Sequence, residues 1–268
     1  MIPSHAKACT IHCIINASNK PYQSHQSKRI AVVVPAFTEG EELRLCVNRL
    51  ATTLEQAGYH NYRILIVVDG PIRETIEAAR KISNQRVLTT VLPMNRGKGH
   101  ALRIGFSNLD EEIIAFLDGD LDIHPNAISR GIKILQDPSN ARIGCVYGSK
   151  HHTDSQIQYP ISRRILSVLF RLVTKLLVGV EIIDSQTGAK VFNGEALRSC
   201  LEEVEEDGFL FDLDLLSRLN KAGWGLYPVP VEINYQYSST IRITVLLQMA
   251  RGIILLAIKS RRKTSSTG

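Results

Sequence analysis

Ile113-Ile114-Ala115-Phe116-Leu117-Asp118-Gly119-Asp120-Leu121-Asp122 is the stretch on which the fold turns. Its first five residues are apolar without alternation, the pattern of a strand buried on both faces. The chain then changes abruptly to carboxylates spaced two apart around a glycine. Working outward, the same change recurs. Ile30–Val34 is a β-branched run that closes at Pro35, and Arg63–Val68 closes at Asp69-Gly70-Pro71. Arg86–Leu92 and Arg142–Tyr147 are further strand candidates. Between them the apolar period lengthens to that of helices: Glu41 to Tyr59 (Leu43, Val47, Leu50, Leu54), Arg73 to Ile82, Gly99 to Asn108 and Asn126 to Gln136. Further on come a strand or loop at Asp184–Phe192, a helix from about Phe211 to Ala222 and a strand at Gly225–Ile233. Buried strands alternating with helices predict an α/β fold with a mostly parallel sheet and helices on both faces.

Ligands of such sheets lie beyond the C-terminal strand ends, and there the polar residues gather. Glu39 follows the first strand, Asp69 the second, Arg96 and Lys98 the third, Asp118 and Asp120 the fourth. Two carboxylates at i and i+2 past a strand can converge on one hard cation, which shares its sphere with substrate phosphates. Asp and Gly are equally the residues of an ordinary turn. Asn95-Arg96-Gly97-Lys98-Gly99-His100-Ala101 opens a helix whose N-terminus favours an anion. It is not a P-loop, since no Ser or Thr follows Lys98. The first strand is followed by Pro35-Ala36-Phe37-Thr38-Glu39-Gly40, with no Gly-x-Gly-x-x-Gly, which argues against hydride transfer.

Composition sets the class. With 44% hydrophobic and 22% charged residues the chain is globular, and five cysteines at irregular spacing argue for a reducing compartment rather than a disulfide scaffold. The net charge of +6 is uneven. Residues 1–29 carry +4 and residues 240–268 carry +6, with no acid in either, which leaves a mildly acidic body. That is no nucleic-acid platform; it fits an enzyme whose C-terminal end meets an anionic membrane surface. No run reaches the roughly 18 apolar residues of a membrane span. Residues 1–29 read as a mobile basic tail; their His5, Cys9, His12 and Cys13 match no zinc spacing. Residues 161–180 form an apolar stretch on which Arg164, Arg171 and Lys175 share one narrow face, and 241–258 is similar. Both read as amphipathic interfacial helices, or as ordinary core helices.

The motifs together are specific. Val32-Val33-Val34-Pro35-Ala36-Phe37-Thr38-Glu39, Val68-Asp69-Gly70, Gly97-Lys98-Gly99, Asp118-Gly119-Asp120, Gly148-Ser149-Lys150 and Asp184-Ser185-Gln186-Thr187-Gly188-Ala189-Lys190 occur in the order found in inverting GT-A glycosyltransferases. The chain resembles the dolichyl-phosphate mannose synthase and dolichyl-phosphate glucose synthase group from about Ile30 to Ile258. The resemblance implies a GT-A domain over 30–239, with 240–268 as a C-terminal amphipathic helix and basic tail. It implies a nucleotide sugar (GDP-mannose or UDP-glucose), Mg²⁺ or Mn²⁺, and polyprenyl phosphate as acceptor. Pro35, Phe37, Glu39 and Asp69 would hold the nucleoside, with Lys98 beside them; Asp118 and Asp120 would hold cation and diphosphate. Asp122, where mannose synthases often have Gln, would add a third carboxylate to the cation. Phe37-Thr38 stands where the family usually has Tyr-Asn, and the single Asp69 where it often has two acids.

Lys150, Arg163 and Ser167 match the family's acceptor-phosphate positions, the last two on one helical face. Gln186, Asp212 and Asp214 are candidate sugar contacts, and Asp212 is equally a helix cap. Lys190 reads as a cleft residue or a surface charge. An acceptor phosphate is already ionised, so no dedicated base is expected; catalysis would rest on Asp120, Lys150 and Arg163. The expectation is inverting hexose transfer at the cytoplasmic face of a membrane, with direct peripheral binding or recruitment by a membrane-anchoring subunit. A saccharide or small-metabolite acceptor is the alternative, as is a non-catalytic membrane-docking relative.

Overall fold

The computed structural model describes the backbone of Cys13–Ile14 and residues 28–150, 152–153, 186–208 and 210–233. Among these, eight strands form one sheet: β1 (Cys13–Ile14), β2 (Ile30–Ala36), β3 (Tyr62–Val68), β4 (Val87–Val91), β5 (Ile113–Leu117), β6 (Ile143–Ser149), β7 (Ala189–Asn193) and β8 (Gly225–Pro230). Their order in space is β1-β4-β3-β2-β5-β7-β6-β8. β4, β3, β2 and β5 run parallel. β7 is antiparallel to both its neighbours, β5 and β6, so β6 and its parallel partner β8 point the same way as the first block. Two residues of the segment read as a tail, Cys13–Ile14, pair antiparallel with Thr89 and Thr90 on the outer edge.

Six α-helices accompany these strands among the described residues: α1 (Glu41–Gln56), α2 (Arg73–Arg80), α3 (Lys98–Ser107), α4 (Asn126–Gln136), α5 (Gly194–Leu201) and α6 (Phe211–Lys221). The pleat of the sheet sorts side chains by parity. From β2, Ile30, Val32 and Val34 enter a core shared with Leu43, Val47, Leu50 and Leu54 of α1 and Ile128 and Ile132 of α4. Ala31 and Val33 enter the opposite core, shared with Leu102 and Phe106 of α3, Leu197 of α5 and Leu213 and Leu216 of α6. Both faces are covered, which is why the central strands β2 and β5 are apolar at every position.

The first strand continues through Pro35 to Ala36 instead of stopping at the proline. Its ladder with β3 is intact to Ala36↔Val68. Proline is tolerated here because this is the last turn of the ladder, where the neighbouring β5 has ended its pairing at Val33↔Phe116. α5 is an element the sequence reading lacked. It is eight residues long and starts at an Asn193 cap, whose side chain accepts from the N–H groups of Glu195 and Ala196. Residues 161–180 and 241–258, read as interfacial helices, lie outside the described residues. No helix among the described residues is long and apolar enough to cross a membrane.

Candidate functional site

All the parallel strands end at one edge of the sheet, and the reversed β7 begins there. Pro35 and Ala36 close β2, Asp69 follows β3, Asp118 follows β5, Lys150 follows β6, and Gly188 leads into β7. A cavity of about 230 Å³ opens at this edge, lined by Pro35, Phe37, Glu39, Asp69, Lys98, Asp118 and Asp120 among others. A smaller one of about 110 Å³ adjoins it through Lys98 and Asp118, and Gln186, Phe211 and Asp212 complete its wall. The structure thus brings together the nucleoside candidates, two of the three cation candidates and two of the three sugar candidates.

The 37–40 loop is held from two sides. Phe37 N donates to Glu39 Oε2. Thr75 of α2, fully buried, donates its hydroxyl to Phe37 O (2.7 Å) and accepts from Gly40 N (3.4 Å). Burial pushes the Glu39 carboxyl above its ordinary range, against the lowering bond from Phe37 N. Thr75 was not visible as a site residue in the sequence: a lone threonine in a short helix carries no motif.

Asp69 is spoken for. Its two carboxylate oxygens accept from Arg96 N (3.0 Å) and Gly97 N (2.7 Å), and the residue is only 4% exposed. It lines the larger cavity, but it also serves as the built-in anion of the glycine-rich loop. Part of the anion-favouring loop that opens α3 is thereby taken up by the protein's own groups. Two of its amides bond Asp69, and His100 N bonds Asp207 O (2.8 Å). Asp207 in turn gathers Arg96 (3.0 Å) and Arg103 (2.8 Å). Gly99 packs so closely that a Cβ there would lie 2.6 Å from Asp207 O.

Lys98 reaches the cavity floor instead. Its ammonium lies 2.7 Å from Asp118 Oδ1 and 2.9 Å from Oδ2, with the hydrogen bond formed to Oδ2. Burial alone would lower the Lys98 pKa, but Asp118 and Asp212 outweigh it and the net shift is upward. Asp118 is fixed from behind: its N–H donates to Gly188 O (2.8 Å), and a Cβ on Gly188 would fall 2.1 Å from Asp118 Oδ2. The sequence thus needs Gly188 for contact with a carboxylate some seventy positions upstream.

Asp120 sits one pleat further on. Burial first, then the charges of Asp118 and Asp122, push its carboxyl up to about 6. Leu121 behind it adopts φ 60°, the one non-glycine left-handed residue among those described. This bends the chain, and Asp122 donates its N–H back to Asp120 Oδ1 (3.1 Å). Asp122 lines neither cavity. The third carboxylate expected at the cation is therefore not assembled with the other two: no group of three or more His, Cys, Asp and Glu poised for a metal occurs among the described residues.

Two oxygen-donor carboxylates nevertheless suit Mg²⁺ or Mn²⁺, which are held by one or two carboxylates together with substrate phosphates. Asp118 Oδ1 is buried with Lys98 as its ion-pair partner and no aligned hydrogen-bond donor, and Asp120 stands among the negative charges of Asp118 and Asp122. The residues present fit a divalent cation.

Asp212 is buried at the second residue of α6, 3.8 Å from Lys98 and 3.4 Å from Lys190. It makes no cap; Leu210 holds that position. Asp214 differs from expectation: it is turned away, bonded to Arg218 Nε (2.8 Å) and Glu205 N (3.1 Å), and lines neither cavity. Helical periodicity explains the split, since i and i+2 lie about 200° apart. Lys190 is neither a cleft residue nor a surface charge; it is 1% exposed. Lys150 lies at the same sheet edge, just past β6. Arg163 and Ser167 lie outside the described residues.

The family model "Glycosyl transferase family 2" matches residues 31–201. The chain is 29% identical over 204 residues to dolichyl-phosphate beta-glucosyltransferase of Homo sapiens, covering 71% of this chain and 62% of that one, less than two thirds of its length. It is 22% identical over 253 residues to dolichyl-phosphate beta-glucosyltransferase of Saccharomyces cerevisiae, covering 88% and 76%. Among solved structures, glucosyl-3-phosphoglycerate synthase from Mycobacterium tuberculosis, in complex with Mn²⁺, UDP and phosphoglyceric acid, superposes with a TM-score of 0.66 at 18% identity. That match covers 87% of this chain and 78% of that one. The likeness is one of fold, the GT-A fold.

Proposed function

The chain belongs to glycosyl transferase family 2, and from that premise we propose that it moves a hexose, with inversion, from a nucleoside-diphosphate sugar to a polyprenyl phosphate. Glucose is the sugar favoured by the names of its relatives, dolichyl-phosphate beta-glucosyltransferases, and a UDP donor follows the UDP complex of the structural neighbour. The observation that carries the proposal is the convergence of Glu39, Asp69, Lys98, Asp118 and Asp120 on one cavity that shares Lys98 and Asp118 with a second, lined by Gln186 and Asp212.

In this reading the 37–40 loop receives the nucleoside, and Lys98 with Asp118 and Asp120 receives the diphosphate. Asp118 and Asp120 would hold Mg²⁺ or Mn²⁺, which when bound neutralises the charge that develops on the departing diphosphate. The hexose then occupies the smaller cavity. Around it Gln186 Nε2 and Thr187 Oγ1 are buried without a hydrogen-bond partner, and Asp118 Oδ1 and Asp212 Oδ1 have only their lysine ion pairs. Unmet donors and acceptors together are costly and suit a ligand that offers both, as sugar hydroxyls do. Attack comes from an acceptor phosphate oxygen that is already ionised, so no protein base is required. Lys150 and the family-matched Arg163 and Ser167 would hold that acceptor, two anions being brought together by fixed cations. We place the reaction at the cytoplasmic face of a membrane, with the basic C-terminal region against anionic lipid.

The test is label transfer from UDP-glucose and from GDP-mannose, in parallel, to a short polyprenyl phosphate with Mn²⁺, using wild type and Asp120→Ala. Label entering the lipid phase from UDP-glucose, and lost in the variant, supports the assignment. No lipid product from either donor, beside clear donor binding or hydrolysis, overturns the polyprenyl acceptor in favour of a soluble one.

A further inference from the structure

Lys190 is buried more completely than any other charged side chain near the site, and no step of the transfer proposed above uses it. It lies in the middle of β7, opposite Phe116 of β5 and Tyr147 of β6. Its ammonium donates to Thr187 O (2.7 Å) and stands 3.4 Å from Asp212 Oδ1. The Phe116 ring links it to the cavity floor: Lys190 Nζ is 4.9 Å from the ring centroid and Lys98 Nζ is 4.8 Å from it. Charges therefore alternate along a short line, Lys190, Asp212, Lys98, Asp118.

Two carboxylates compete for Lys98 on this line. Asp118 holds it at 2.7 Å, while Asp212 stands off at 3.8 Å. A buried carboxylate without a partner is strongly unfavourable and takes whatever cation it can reach. Among the described residues the cations within ion-pair distance of Asp212 are Lys190 and Lys98. Burial lowers the Lys190 pKa and Asp212 opposes that shift, so the pair is mutually dependent.

We propose that Lys190 is a positioning residue that decides which carboxylate holds Lys98. By neutralising Asp212 from beneath the floor, it leaves Lys98 on Asp118, at the junction of the two cavities, where an arriving diphosphate meets it. Without Lys190, Asp212 captures Lys98 and draws it out of the larger cavity. The consequence for the donor rests on the function proposed above; the placement of Lys98 does not.

The decisive variant is Lys190→Met, compared with wild type in crystals grown in EDTA and by Mn²⁺ titration without nucleotide. The expected structure has Lys98 bonded to Asp212 and parted from Asp118. The expected titration shows Mn²⁺ bound about tenfold more tightly, because Asp118 has lost its internal counterion, while UDP in EDTA binds more weakly. A purely structural lysine would weaken both ligands in step with falling thermal stability. Lys98 still on Asp118 in Lys190→Met, or unchanged Mn²⁺ affinity in the folded variant, overturns the proposal. If wild type binds no Mn²⁺, the cation reading of the site falls, and the position of Lys98 alone decides the role of Lys190. Should Lys190→Met not fold, Lys190→Met/Asp212→Asn removes both charges together. Lys98 then stays with Asp118, and its displacement there overturns the proposal equally.

Discussion

Replacing Asp120 by Asn separates what the site needs from what the fold tolerates. The carboxyl ordinarily titrates at 3.8 and is pushed up to about 6 in the fold, first by burial and then by Asp118 and Asp122. A raised carboxyl pKa means that the folded state binds the proton more tightly than the unfolded chain. Ionising Asp120 therefore works against folding. Stability is lost as pH rises from 3.8 through about 6, and the full penalty is present above that. Two pKa units correspond to roughly 3 kcal/mol; partial solvent access at Asp120 lowers the expected figure to about 1–2 kcal/mol. Asp120→Asn keeps the shape and removes the charge. In EDTA at pH 8 its melting temperature should exceed that of wild type by about 3–6 °C for a domain of this size. The difference should shrink between pH 6 and pH 4, where the wild-type carboxyl takes up its proton. With Mn²⁺ and UDP present the ranking reverses, because wild type gains stability from ligand and the variant does not. Scanning fluorimetry at pH 8, 6 and 4.5, with EDTA or with Mn²⁺ and UDP, measures all of this. A variant no more stable than wild type at pH 8 in EDTA, or a gain of the same size at pH 4.5, would refute the reasoning.

Other perturbations test neighbouring parts of the site. Gly188→Ala places a Cβ 2.1 Å from Asp118 Oδ2; it should cost about 1–3 kcal/mol in thermal unfolding and abolish Mn²⁺ binding by calorimetry. Thr75→Val removes the hydroxyl that ties Phe37 O and Gly40 N; UDP affinity should fall about fivefold, the equivalent of one neutral hydrogen bond, with little change in the rate of chemistry at saturation. Arg218→Met leaves the buried Asp214 without its ion-pair partner; urea unfolding should show a loss of about 3 kcal/mol, while UDP affinity of the folded protein stays at the wild-type value.

The strands and their loops were readable because they obey local rules. Ile113–Leu117 and Asn126–Gln136 have the bounds that apolar period and turn chemistry predict, and of the polar residues at strand ends Glu39, Asp69, Lys98, Asp118 and Asp120 meet at one cavity while Arg96 pairs with Asp207. What stayed hidden depends on partners far along the chain. The sequence shows that Asp69 follows a strand, but not that its oxygens are taken by Arg96 and Gly97. Asp212 and Asp214 read alike as a pair; only the docking of α6 turns one toward Lys98 and the other toward Arg218. Lys190 read as a cleft residue or a surface charge because lysine seldom lies buried unpaired, and its partner Asp212 comes from another element. The short α5 escaped because Gly194 opens it and eight residues give too few turns for a period to emerge.

The reversed strand has a consequence for how the chain acquires its structure. β2, β3, β4 and β5 pair among themselves and precede residue 120. β6, in contrast, finds its ladder partners, β7 and β8, only among segments that follow it. During synthesis β6 must therefore wait unpaired until β7 arrives and wedges between it and β5. The docking of β7 also delivers Gly188 O to Asp118 N, so the carboxylate loop is set late, after the half of the sheet that carries it. Pulse-labelled hydrogen exchange during refolding should find the amides of β2 and β3 protected before that of Asp118. Simultaneous protection would mean that the two halves of the sheet condense together.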